Sequence, residues 1–142
     1  MNNSGYSARN DPAPRLDRDA VAKRAARDLF DGSTVNLGIG IPALCADFLP
    51  DGVELFYHAE NGILGFKELS APGEGDPNLM DAGGQFPKLV PGMAFFDSVE
   101  SFSLIRGGHI DVTVLGALQI SRNGDLANWI IPKRGIGSIG GA

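Results

Sequence analysis

TVNLGIGIPALCADFLPDGVELFYHAENG, residues 34–62, is the stretch whose reading decides the fold. It divides into a short apolar run at 34–37, a glycine loop, a helical stretch at 42–49 and a second apolar run at 53–59. Pro42 suits the first position of a helix, where its missing N–H costs no hydrogen bond. Pro50-Asp51-Gly52 is a turn. Strand, loop, helix, strand is the pattern of an α/β domain with an open, mostly parallel sheet and flanking helices. In such sheets ligands sit beyond the carboxyl ends of the strands. Two unusual segments, GIGIP (38–42) and AENG (59–62), fall at predicted strand ends, and so at one edge of the sheet.

Outward from this stretch the pattern continues. Residues 1–15 are polar, contain Pro12 and Pro14, and are predicted to form a flexible tail. A helix follows, capped by Asp17, with Val21, Ala25 and Leu29 on one face, Ala22, Ala26 and Phe30 beside them, and Gly32 at its end. Residues 67–87, rich in glycine, proline and acids, read as a long loop, which in a compact domain is usually functional or disordered. A short strand is predicted at 88–90 and a helix at 97–105, stopped by Gly107-Gly108. The apolar run 110–120 is predicted to be a buried central strand. Asn123-Gly124 marks a hairpin turn, and 126–131 returns.

Composition narrows the function classes. The 142 residues suit one domain, and 43% apolar with 20% charged residues suits a packed core. Glycine supplies 20 residues, an excess over ordinary usage that lies between apolar runs and so signals tight turns. A net charge of −5 without a basic stripe argues against nucleic acid. No apolar run approaches the ~20 residues of a membrane span. The N-terminus MNNSGYSARNDPAPR lacks the apolar core of a signal peptide, and the single Cys45 excludes an internal disulfide framework and a thiolate metal site. These features point to the cytoplasm.

Spacing alone leaves the chemistry open. Glycines between a strand and a helix let backbone N–H groups approach an anion, but GIGIP is equally a tight turn without a ligand. Glu60 is either a solvent-facing turn carboxylate or a nucleophile or base held at the sheet edge, with Phe56 and Ile63 to keep water away. His58 and His109 have no spaced partner for a metal and read as structural. Cys45, among Leu44, Ala46 and Phe48, reads as a small core residue. Ser98, Ser101 and Ser103 have no evident triad context.

Taken together, NLGIGIP (36–42), AENGILG (59–65), PGMAFFDSVESFSLIRGGHIDVTVLGALQIS (91–121), NGDLANWIIP (123–132) and IGGA (139–142) resemble the B (beta) chain of the class I 3-oxoacid CoA-transferases. The resemblance runs from about residue 17 to the last residue. It implies that residues 16–142 are a partial domain of that chain type, incomplete at its C-terminus, and that Glu60 is the nucleophile of the family's S-E-N-G motif. It implies a glutamyl-CoA thioester that carries CoA from an acyl-CoA, succinyl-CoA in the first instance, to a 3-oxo acid. Gly140 and Gly141 fall where the family supplies a backbone N–H to the oxyanion. Gly38, Gly40, Asn61 and Gly62 become substrate- or CoA-binding candidates. No cofactor or metal is needed, because coenzyme A thioester is itself a substrate.

The sequence departs from the family pattern in several places. Ala59 replaces the usual Ser before Glu60, Phe66-Lys67 stands where many members carry further glycine, and Ser138 replaces a glycine found in some members. The family also continues after the GGA segment, and its catalytic unit needs a CoA-transferase A subunit. The expectation is therefore no turnover from this chain alone, and an apolar run 110–120 short of neighbours. The alternative reading is a truncated, non-catalytic remnant or a module that binds the A subunit. The acceptor is acetoacetate-like or, alternatively, 3-oxoadipate. A dicarboxylate needs a cationic partner, for which Lys67, Lys88 and Arg106 are the options, each of them equally a surface charge.

Overall fold

A computed structural model describes residues 16–131 and 135–136. The predicted tail at 1–15 and the closing IGGA segment lie outside the described residues.

Helix α1, Arg18–Ala26, starts where its cap predicts: the Asp17 carboxylate accepts from the Ala20 N–H at 2.8 Å. Its buried face is Ala22 and Ala26, followed by Leu29 beyond the helix end, while Val21 and Phe30 are exposed. The small side chains let α1 lie against the 3-10 helix Pro42–Phe48. That rotates the expected face by one position. The helix stops short of Gly32, whose φ of +75° serves the turn into the sheet.

Strand β1, Thr34–Leu37, forms as predicted. The segment after it winds as a 3-10 helix rather than an α-helix. Leu49, which precedes Pro50, is extended at ψ 142°, as a residue before proline prefers. Strand β2 is confined to Phe56–Ala59 rather than 53–59. The backbone of Glu54 is already committed to the turn after α1: its N–H donates to Asp31 Oδ1 at 2.8 Å and its carbonyl accepts from Gly32.

Strand β3, Ile63–Phe66, is not among the sequence-based expectations. It runs antiparallel to β2 and in turn pairs with β4, Ala94–Phe95. The strand expected at 88–90 does not form. The Lys88 N–H instead donates to the Glu68 carbonyl at 2.9 Å, and Ser70 N–H to Phe86 O at 2.8 Å, so the 67–87 loop closes on itself. Helix α2, Ser98–Arg106, is capped by Asp97, which accepts from the Glu100 N–H at 2.9 Å.

The run 110–120 corrects the sequence reading most. Of this run only Val112–Val114, β5, joins the five-stranded sheet, and it lies at its edge, half-buried, beside β1. Gln119–Ile120 forms β6, a separate hairpin with β7, Leu126–Ala127, around the expected turn at Gly124. Ile130–Ile131, β8, pairs instead with Gly135–Ile136, β9. An apolar composition signals a wish for burial, but not which neighbours supply it.

The five-stranded sheet has the order β4-β3-β2-β1-β5. The β1 pairings with β2 and β5 are parallel, so only β3 runs against the rest. This is the open, mostly parallel α/β arrangement with flanking helices. Its core joins Val35, Tyr57, Ala59, Ile63 and Phe66 of the sheet to Ala22, Ala26, Leu29, Cys45 and Leu55. Because β1 and β2 are parallel neighbours, Leu37-Gly38 and Ala59-Glu60 leave the sheet at the same edge.

Candidate active site

At that edge lies a cavity of about 440 Å³. One wall is the exit of β1 with the 3-10 helix, the second is the end of β2, and the third is the 67–87 loop, through Leu69, Asp81 and Gln85. Glu60 lies half-buried on this cavity, at the first position past β2.

The turn that carries Glu60 is held at several points. Gly62 N–H donates to the Ala59 carbonyl at 2.9 Å, and Phe96 N–H donates to the Gly62 carbonyl at 3.0 Å. Gly62 has φ +109°, and a Cβ there would collide with the Phe96 carbonyl oxygen. Only glycine satisfies both conditions. Asn61 Nδ2 donates to the Met80 carbonyl at 2.7 Å, tying the turn to the long loop. Asn61 and Gly62 therefore act on the turn itself, and neither lines the cavity.

Four carboxylates line the cavity: Asp47, Glu60, Glu68 and Asp81. Glu68 is paired with Lys88 at 2.8 Å, and Asp81 Oδ1 accepts from Gly83 and Gln85 N–H, both at 2.8 Å, to fold its own loop. Asp47 and Glu60 have no hydrogen-bonded side-chain partner among the described residues, and only Glu60 of these two is half-buried. A carboxylate with free lone pairs, partly screened from water and fixed at its backbone, can act as a nucleophile.

The glycine loop fares less evenly. Gly38 lines the cavity, but its N–H is bonded to the Val114 carbonyl at 2.9 Å, and a Cβ there would meet that oxygen at 3.2 Å. Its place is the close approach of β5 to the chain leaving β1, with no N–H left for an anion. Gly40, at φ +92°, is exposed and does not line the cavity. Gly140 and Gly141 lie outside the described residues.

His58 is buried and fully engaged. Its Nδ1 lies 3.1 Å from Asn36 Nδ2, and its Nε2 lies 3.0 Å from Ser101 Oγ. Burial pushes its pKa below the ordinary histidine value, so the ring is held neutral. Ser101 thus has a histidine partner that sequence spacing does not reveal, but it is wholly buried and out of a substrate's reach. Asn36 also escapes the sequence reading. A polar residue inside the apolar run TVNL is the available signal. His109 is exposed, and its backbone N–H closes α2 on the Leu104 carbonyl at 2.9 Å. Cys45 is a core thiol whose pKa burial raises, which makes it a poor nucleophile. The cations are occupied as well: Lys67 pairs with Glu54 at 2.6 Å, Lys88 pairs with Glu68, and Arg106 lies over the Phe102 ring. Among the described residues there is no cluster of three metal-ligating side chains, and no helix is long and apolar enough to cross a membrane.

Comparison with known proteins gives a consistent result. The sequence profile described as Coenzyme A transferase matches residues 18–142. The B subunit of the succinyl-CoA:3-ketoacid coenzyme A transferase of Helicobacter pylori (strain ATCC 700392 / 26695) is 48% identical over 125 residues, covering 88% of this chain and 60% of that protein. The B subunit of the 3-oxoadipate CoA-transferase of Pseudomonas putida is 50% identical over 129 residues, covering 90% of this chain and 60% of that protein. The chain thus spans about 60% of the length of these relatives. Among solved structures, an acyl-CoA transferase apoenzyme from Escherichia coli O157:H7 shares the fold, with a TM-score of 0.55 and 21% identity, over 88% of this chain and 22% of that one.

Proposed function

This chain belongs to the coenzyme A transferase family, and from that premise we propose that it is a B-type subunit that transfers CoA from succinyl-CoA to a 3-oxo acid, with Glu60 as the nucleophile. The observation that carries this reading is the half-buried Glu60 carboxylate, with no side-chain partner among the described residues, on a turn locked by Gly62 and Asn61 at the cavity.

In this reading the Glu60 carboxylate attacks the thioester carbonyl and expels CoA thiolate, leaving an acyl-glutamyl anhydride. The thiolate attacks the glutamyl carbonyl, releasing the donor's carboxylate and leaving a glutamyl-CoA thioester. The acceptor carboxylate attacks this thioester, forms a second anhydride and frees the thiolate. Attack of the thiolate on the acceptor's acyl carbonyl yields the new acyl-CoA and restores Glu60. Thioester free energy is conserved, so neither ATP nor a cofactor enters. Each oxyanion needs N–H donors. With the Gly38 amide engaged, that role is assigned to the Gly140-Gly141 segment.

The anhydride must be kept from water, for which the apolar part of the lining, Leu37, Ile39, Leu44 and Leu69, is suited. The acceptor favoured here is a 3-oxo monoacid, because Lys67, Lys88 and Arg106 are already engaged and the lining is acidic. The relatives are named as B subunits, which supports an A-type partner.

The test is borohydride trapping of the enzyme-CoA thioester, with the chain combined with an A-type subunit. Glu60→Gln should abolish it. A surviving thioester would show that Glu60 is not the nucleophile. A second reading, a non-catalytic module that binds an A subunit, draws on the exposed apolar residues Leu118, Ile120, Leu126 and Trp129. Tight binding to that partner without any trapped thioester would favour it.

A further inference from the structure

We propose that Asn36, His58 and Ser101 form a positioning relay that sets Glu60 for attack. The proposal rests on the reading of Glu60 as nucleophile. Three elements contribute one side chain each: Asn36 from β1, His58 from β2 and Ser101 from α2. They are 1%, 2% and 0% exposed. An unpaired atom in a buried polar cluster costs stability, and replacing paired polar groups by apolar ones of the same shape can be nearly neutral or stabilising. Packing alone therefore does not call for three polar side chains here.

The hydrogen bonds fix the chemistry of the relay. Asn36 Nδ2 donates both to His58 Nδ1 and to the His58 carbonyl, each at 3.1 Å. Turning the amide over would set Asn36 Oδ1 against that carbonyl, acceptor against acceptor. His58 Nδ1 therefore carries no proton, and Nε2–H donates to Ser101 Oγ at 3.0 Å. The Phe96 ring stacks on the imidazole at 6.1 Å between centroids, and the Phe96 N–H also holds the Gly62 carbonyl.

The relay thus grips β2 just before Glu60. Asn36 holds the carbonyl of His58, the ring ties that residue to α2, and Phe96 links ring and turn. Asn36, His58 and Glu60 all line the same cavity. A nucleophile must be held close to its line of attack, and small displacements there cost rate more than binding. One atom stays open: Asn36 Oδ1 is buried and has no partner among the described residues. Stability alone gives no reason to leave such an acceptor on a residue that lines the same cavity as Glu60.

The test uses the chain with an A-type subunit. Ser101→Ala should lower kcat on the order of tenfold with KM within about twofold, and slow thioester formation equally. In the unsubstituted protein, 15N NMR of the imidazole should show the neutral Nε2–H tautomer, lost or mixed in Ser101→Ala. Unchanged kcat in a folded Ser101→Ala variant would overturn the relay. So would an Nδ1–H tautomer in the unsubstituted protein, which also decides the matter if the variant does not fold. Glu60→Gln runs in parallel: a thioester that survives it defeats the reading of Glu60, whereas loss of the thioester with an unaffected Ser101→Ala defeats only the relay.

Discussion

Between Thr34 and Phe66 most of the sheet's large apolar side chains are buried or half-buried, Phe56 being the exception, whereas between Leu115 and Ile130 the large apolar side chains are exposed. Val35, Tyr57, Ile63 and Phe66 are buried, while Ile120 is 68% and Trp129 71% exposed. Both regions contain turn glycines and apolar runs, so composition does not separate them. Neighbours do. The first region has α1 and the 3-10 helix packed on it and sheet partners on both sides of β1, β2 and β3. The second consists of two-residue strands in separate two-stranded hairpins, and isolated hairpins are marginal by themselves. The candidate nucleophile sits on the self-supporting region, where a fixed geometry can be held.

The severest way to break this contrast is Gly62→Ala. Positive φ and the Phe96 carbonyl both forbid a Cβ there, so a loss of about 3–4 kcal/mol is expected in chemical denaturation. A loss below ~1 kcal/mol would mean that the turn is free to relax. A paired comparison sharpens the contrast: Ile63→Ala should cost about 3 kcal/mol and Ile120→Ala less than ~0.5 kcal/mol in the same measurement. Equal costs would erase the distinction between the two regions.

A smaller and gradual change is expected with pH. Burial lowers the His58 pKa in the folded state, while the unfolded chain titrates near ~6.5. Between these values the unfolded state holds a proton that the folded state lacks. The contribution of His58 is therefore complete above pH ~6.5 and lost as pH falls toward its folded pKa. Denaturation midpoints between about pH 7.5 and 5.5 should decline, and His58→Gln should flatten that decline.

Local chemistry was legible wherever it acted within a few residues. The Asp17 cap, the strand at 34–37, the turn at Asn123-Gly124 and the placing of Glu60 at a strand end followed from side chains acting on their own backbone. The strand at Ile63–Phe66 did not: it folds back on the adjacent β2 across the Glu60–Gly62 turn, which the sequence reading took as the end of the strand, and its other partner, β4, lies far along the chain. The 110–120 run was misread for the opposite reason: its composition suits a central strand, but among the described residues β5 is paired on one side only.

By itself, then, the sequence determined the α/β pattern, the first helix cap, the turns, and the family to which Glu60 and its glycine belong. All of these depend on short-range sterics or on the order of motifs. Only the tertiary structure decided that the Gly38 amide is taken by Val114, that the lysines near the cavity are already paired, and that Asn36, His58 and Ser101 meet in the interior just before the turn that carries Glu60. The physical reason is the same in each case. A hydrogen bond or ion pair depends on a few ångströms between groups that packing, not spacing along the chain, brings together.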